Sequence, residues 1–139
     1  VDVTDDAGID ELLRRTRRIA VVGASDDPSR PSHGVMRRLL QAGYELVPVN
    51  PRVGEVLGTP AVASLAELDA PVDLVDVFRR VEHTPQVARE AAAIGAPALW
   101  LQTGLRSSEA RTVAEQAGMD YVEDRCLAVE VAVRGITVG

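Results

Sequence analysis

Short apolar runs recur along this chain at Ile19–Val22, Leu46–Val49, Asp73–Phe78 and Ala98–Leu101, with a shorter one at Tyr121–Val122. A continuous apolar run of about four residues is what a strand buried on both faces requires. The segments between the runs carry helix signals. Val35, Met36, Leu39 and Leu40 form one helical stripe, with Ser32 expected as its N-cap and Gly43 as its stop. Ser64 and Glu67 predict a capping box on a short helix through Leu68. Thr84 as N-cap, Pro85 at N1 and Gly95 past the end bracket an alanine-rich helix, and Ser107 or Ser108 opens another that Gly118 ends. Alternating strands and helices need crossover connections. The expected fold is therefore α/β, a mainly parallel five-stranded sheet with helices on both faces.

Details of that expectation follow from single residues. Pro48 cannot donate to a ladder, so the second strand should be short or edge-like. Residues 1–17 read as an N-terminal helical extension, with Ile9–Thr16 helical and packed outside the core. The tail from Cys126 to Ile136 is ambiguous: Leu127, Val129, Val131 and Val133 alternate like a strand, while intervening alanines and a glutamate permit a helix. At 139 residues, one domain spanning 1–139 is expected.

Composition removes several function classes. The formal net charge is -6, which argues against non-specific nucleic-acid binding. All 15 basic residues are arginines, so Schiff-base chemistry, a Walker A phosphate loop and a receiver-domain lysine are excluded. The single cysteine, Cys126, excludes an internal disulfide framework and a multi-cysteine zinc site. No apolar run approaches the ~20 residues that span a bilayer, and the acidic start, Asp2, Asp5 and Asp6, does not suit a secretory signal. A cytoplasmic protein without membrane or nucleic-acid partners is the expectation.

In parallel sheets, ligands sit beyond the carboxyl ends of the strands. After the first strand, Gly23-Ala24-Ser25 permits a tight turn ahead of a helix N-terminus, an arrangement suited to a phosphate or to a plain turn. Arg30 either closes over that phosphate or offsets Asp26 and Asp27 at the surface, and His33 either touches a ligand or is structural. After the second strand, Asn50-Pro51 reads as a ribose contact or as a turn, with Arg52 placed to meet a phosphate. Phe78, the only phenylalanine, stands beside Arg79 and Arg80 and suits an adenine next to a phosphate; a core Phe with a solvated basic pair is the alternative. Arg125 could lower the pKa of the Cys126 thiol, or Cys126 is simply a small buried residue. The run Arg14, Arg15, Arg17 and Arg18 reads as a solvated helix face.

Taken together, these strand ends resemble the small stand-alone CoA-binding domain family. The resemblance is carried by Val22–Ser25, Ser29–Val35, Val49–Pro51, Val75–Arg80, Trp100–Gly104 and Asp124–Cys126, and spans Ile19 to Arg134. The family is similar to the N-terminal domain of the succinyl-CoA synthetase alpha subunit. The resemblance implies a Rossmann-like sheet that binds coenzyme A or an acyl-CoA. Gly23, Ala24 and Ser25 would hold phosphates, and Asn50, Pro51 and Arg52 would border the adenosine and its 3′-phosphate. Val77, Phe78 and Arg79 would contact the nucleotide half, while Gln102, Thr103 and Gly104 would line the pantetheine path. Cys126 matches the cysteine of an Asn-Cys-Pro segment in the synthetase, here Arg125-Cys126-Leu127, near the thiol end; oxidation would then join it to CoA as a mixed disulfide.

The synthetase also uses a phosphohistidine domain and a partner subunit, and 139 residues hold neither. Binding without known catalysis is the expectation. An NAD(P)-binding oxidoreductase or redox sensor shares the fold class. The missing second glycine after Gly23, and Asn50 where such domains carry an acidic residue, oppose it. A phosphoacceptor receiver, suggested by Asp26, Asp27 and Asp76, is opposed by the absence of lysine.

Overall fold

The computed structural model describes residues 1–139. In chain order the elements are α1 (Asp6–Arg15), β1 (Arg18–Val22), α2 (Pro31–Gln41), β2 (Glu45–Val49), β3 (Glu55–Val56) and β4 (Thr59–Pro60). They continue with β5 (Leu74–Val77), α3 (Thr84–Ala93), β6 (Ala98–Leu101), α4 (Ser108–Gln116), β7 (Asp120–Val122) and α5 (Leu127–Val133). Five strands form one parallel sheet in the order β2-β1-β5-β6-β7, and β3 with β4 makes a separate small hairpin. From β1 the chain goes outward to β2, then crosses back to β5 on the other side. The strand order therefore reverses between β1 and β5, where such sheets open a crevice.

Alternate residues of each strand feed two cores. On one face Ile19, Val21, Leu74 and Trp100 pack under α1, α2 and α5, through Leu13, Met36, Leu39, Leu127 and Val131. On the other, Ala20, Val75, Leu99 and Leu101 pack under α3 and α4, through Val87, Ala88, Ala91, Ala110 and Ala114. This is the expected architecture, a Rossmann-like sheet with helices on both faces. Burial on both sides is why these strands read as unbroken apolar runs rather than alternating ones.

The outer strands are each covered by a single bridge. Beside β2, Val62 pairs with Val49, donating to Pro48 O at 3.0 Å and accepting from Asn50 N at 2.9 Å. Beside β7, Asp2 bridges Tyr121, with Val3 N donating to Tyr121 O at 2.8 Å. As expected for a strand carrying Pro48, β2 is at the sheet margin. The tail also docks here: Val138 N donates to Ala42 O at 2.8 Å, and a Cβ on Gly43 would lie 1.7 Å from Val138 O.

Several local expectations need correcting. The first helix is not outside the core: Ile9, Leu12 and Leu13 are buried, and Tyr44 Oη donates to Leu13 O at 2.7 Å. An i, i+3, i+4 triplet of large apolar residues is sufficient to dock ten residues. Ser32 is not the cap of α2, which begins at Pro31 with Arg30 in the cap position. The preset φ of proline starts the helix, and Ser32 Oγ instead accepts from Ser25 N at 3.1 Å. Thr84 is the first residue of α3 rather than its cap, because a 3-10 turn at Val81–His83 leads into it and Thr84 Oγ1 donates to Val81 O. The Ser64–Glu67 box does not form: the segment is a 3-10 turn over Leu65–Glu67, Ser64 makes no side-chain cap, and Glu67 Oε2 accepts from Ala63 N rather than from Ser64 N. The ambiguous tail is helical at α5, where Leu127 and Val131 are buried and Val129 and Val133 are exposed.

Candidate functional site

The first loop is built on Gly23. Its φ is +86°, and a Cβ there would sit 2.2 Å from Phe78 O, so only glycine lets β1 turn this close to β5. The loop is then tied by its own polar groups. Asn50 Nδ2 donates to Ala24 O at 2.8 Å, and Asn50 Oδ1 accepts from Arg52 N at 2.9 Å. Ser25 Oγ accepts from Asp27 N, while Asp27 accepts from both the N and the Oγ of Ser29. Those Ser29 bonds hold the Asp27 carboxyl below the usual carboxylate range. The loop delivers the chain to α2, whose N-terminus has no side-chain cap and no acidic residue in its first turn. Its positive end is uncompensated.

These strand ends enclose a cleft of about 680 Å³ across the β1–β5 crevice. Of the residues expected at a site, Gly23, Ser25, Arg30, Ser32 and Asn50 line it on one side. Phe78, Arg79, Gln102, Thr103 and Cys126 line it on the other. Six expected residues stand elsewhere. Ala24 is buried below the loop, and Val77 points into the opposite core with Val22 and Val75. His33 is buried within α2 with Nδ1 unpartnered, away from the cleft wall. Pro51 and Arg52 are exposed outside the cleft. Gly104 is exposed and donates its N–H to Asp124 Oδ1 at 2.7 Å.

Four lining residues were given no ligand contact of their own from the sequence: Pro31, Val35, Leu105 and Arg80, the last named only as a neighbour of Phe78. Arg80 had a signal, since it continues the Phe78-Arg79 segment. Val35 and Leu105 had none beyond proximity to a strand end.

The cleft is lined by charge of one sign. Arg30, Arg79 and Arg80 line it, and no acidic residue does. None of the three joins any ion pair of the protein. In the Arg14–Arg18 run, by contrast, Arg14 pairs with Asp10, Arg15 with Glu11, and Arg18 with Glu45 and Asp69, while the Arg17 guanidinium donates to the Arg14 and Thr16 carbonyls. In a chain of net charge -6, three guanidiniums without ion pairs stand beside a helix N-terminus with no side-chain cap, and the cleft is locally positive.

Past Arg79 and Arg80, the wall formed by Gln102, Thr103 and Cys126 is neutral. Gln102 is buried and donates from Nε2 to Asp76 Oδ1. Trp100 Nε1 donates to Arg125 O at 2.8 Å, which fixes the segment carrying the half-buried Cys126. Asp76 lies inside β5, fully buried, and cannot reach solvent as a phosphoacceptor must.

Comparison with known proteins agrees with this geometry. Residues 17–132 match the family described as CoA binding domain. The Bacillus subtilis protein YneT is 48% identical over 127 residues, covering 91% of this chain and 94% of that protein. A solved structure from Thermus thermophilus is 42% identical with a TM-score of 0.88, covering 94% of this chain and 98% of that one. A hypothetical protein from Pyrococcus horikoshii OT3 is 35% identical with a TM-score of 0.90, over 94% of this chain and 92% of that one. The alpha subunit of acetate–CoA ligase (ADP-forming) II from Pyrococcus furiosus is 29% identical over 124 residues; the match takes in 81% of this chain but 27% of the subunit. The chain thus spans about a quarter of that ligase subunit. With 116 consecutive residues matched, from 17 to 132, the chain belongs to the CoA binding domain family.

Proposed function

We propose that this protein binds coenzyme A or an acyl-CoA along the carboxyl ends of its sheet, with no reaction assigned to it. The observation that carries the reading is the cleft's charge: three unpaired arginines and no carboxylate, in an acidic protein. CoA presents a diphosphate and a 3′-phosphate, which need such a wall. Arg30, Arg79 and Arg80 would take the phosphates, together with the α2 N-terminus and the Gly23 loop. Phe78, half-buried beside Arg79, would offer the adenine a surface. Pantetheine would run past Gln102 and Thr103 toward Cys126. Strand ends spaced about 4.8 Å apart give a path of roughly 19 Å from β2 to β7, enough for an extended cofactor.

Family membership and the partial match to acetate–CoA ligase alpha subunits support the ligand class. Calorimetric titration tests it. CoA should give saturable heat, and dephospho-CoA should bind more weakly because it lacks the 3′-phosphate. Folded protein that gives no heat with CoA or any short acyl-CoA would end the proposal.

A further inference from the structure

A second cavity, of about 590 Å³, adjoins the cleft and shares Thr103 and Cys126 with it. Its walls come from Asp2–Thr4, from Arg106 and Arg111, from the segment Glu123–Cys126 after β7, and from Val129 and Glu130 of α5. Four carboxylates and three guanidiniums line it.

None of these guanidiniums is free. Arg106 pairs with Asp124 at 2.7 Å and Glu123 at 3.4 Å. Arg111 pairs with Glu123 at 2.7 Å and Asp2 at 3.4 Å, and Arg125 with Glu130 at 3.3 Å. The carboxylates are the deeper partners: Glu123 and Glu130 side chains are 12% and 14% exposed, against 70% for Arg106 and 35% for Arg111. Tyr121 Oη also donates to Glu123 Oε1 at 2.8 Å. The network runs on past the cavity wall, since Arg134 also pairs with Glu130 at 2.9 Å and with Asp6 at 3.2 Å; among the lining residues themselves, carboxylates outnumber guanidiniums by one.

An arriving carboxylate meets two obstacles. It faces that excess negative charge, or it takes from Glu123 or Glu130 one of the two guanidiniums that hold each of these mostly buried carboxylates. Breaking one side of such a pair costs more than the pair contributes. The cleft beyond Thr103 is opposite in kind, since its arginines have no internal partner. Charge therefore sorts the ligand's two ends.

We propose that the second cavity is the acyl chamber of the coenzyme A site, that it takes the free thiol or a short uncharged acyl group, and that it turns away an acyl group ending in a carboxylate. The inference rests on the CoA reading above and specifies its substrate class. Neutral acyl groups disturb no ion pair here and pack against Val129 and Val3, which also line the chamber.

Acetoacetyl-CoA and malonyl-CoA supply the test. They have the same number of heavy atoms, and a methyl in one replaces a carboxylate oxygen in the other. In calorimetric titrations CoA and acetoacetyl-CoA should bind within a few-fold of each other, and malonyl-CoA about tenfold weaker or more. Glu123→Gln frees Arg111 of its shorter ion pair and should narrow the malonyl-CoA deficit. Val129→Trp, at an exposed position that fills the chamber, should weaken acetoacetyl-CoA more than CoA. Malonyl-CoA binding the wild type as tightly as acetoacetyl-CoA overturns the proposal. So does acetoacetyl-CoA falling as far as malonyl-CoA, or Val129→Trp weakening CoA and acetoacetyl-CoA alike. Failure of CoA itself to bind is a different result: it removes the CoA reading, and all three ligands then fail together.

Discussion

Gln102 donates from Nε2 to Oδ1 of Asp76 at 2.7 Å, and both side chains are buried. The other carboxylate oxygen, Oδ2, has no partner. Burial pushes the Asp76 carboxyl up to about 7, with the Gln102 bond pulling in the other direction. Gln102 also lines the cleft, so the pair joins a buried acid to the wall of the candidate site.

That pair makes stability pH-dependent. The folded protein holds the Asp76 proton to about 7, while the unfolded chain releases it near the ordinary carboxyl value of 3.8. The stabilising contribution is complete below the lower value and is lost as pH rises through the higher one, by about 1 kcal/mol per pH unit between them. Asp27 and Asp124, held low by backbone donors, act in the opposite sense: their contributions are present above the ordinary carboxyl value and are lost as pH falls. Comparison with Asp76→Asn isolates the buried acid. Urea denaturation from pH 4 to pH 8 should show the variant gaining on the wild type as pH rises. A difference that stays flat over this range would refute the assignment.

Gly23→Ala should destabilise the fold by about 2 kcal/mol or more, because its new methyl meets Phe78 O at 2.2 Å and the positive φ is strained for alanine. Thermal unfolding measures this. A melting temperature equal to the wild type would mean that β1 and β5 are not held so closely.

Arg30, Arg79 and Arg80 are exposed and unpaired, so each change to alanine should move folding stability by no more than about 0.5 kcal/mol. Each should still weaken CoA by about tenfold, through loss of a charge-assisted phosphate contact. The test pairs calorimetric titration with thermal unfolding on the same samples. Unchanged CoA affinity in all three variants would separate these arginines from the ligand.

Leu13→Ala should cost about 2–5 kcal/mol, the range for a large core side chain cut to alanine. Leu13 is fully buried between α1 and the sheet. A shift below about 0.5 kcal/mol in urea denaturation would show that α1 packs more loosely than described.

The strands were legible because a two-sided sheet demands unbroken apolar runs, and Ile19–Val22 and Ala98–Leu101 can satisfy no other layer so simply. Helix starts were less so. Ser32 and Thr84 have the chemistry of caps, yet their hydroxyls serve Ser25 N and Val81 O, and α2 begins two residues and α3 one residue earlier than expected. In the tail, residues spaced by two also include pairs spaced by four; Leu127 and Val131 thus fit a helix face as well as a strand face. At the site, strand ends gave position along the chain but not direction. Val77 and Phe78 are neighbours, and the pleat sends Val77 to the opposite core. The self-paired network around Glu123 had no sequence signature, since its partners Asp2, Arg106 and Arg111 are distant along the chain.

The bridges at Val62 and Asp2 bear on how copies of this protein behave at high concentration. Each lays backbone over part of the margin where a foreign strand would otherwise add, which shortens the stretch open to edge-to-edge zippering. Strand addition over Val49 or Tyr121 would first require one of those short covers to peel away.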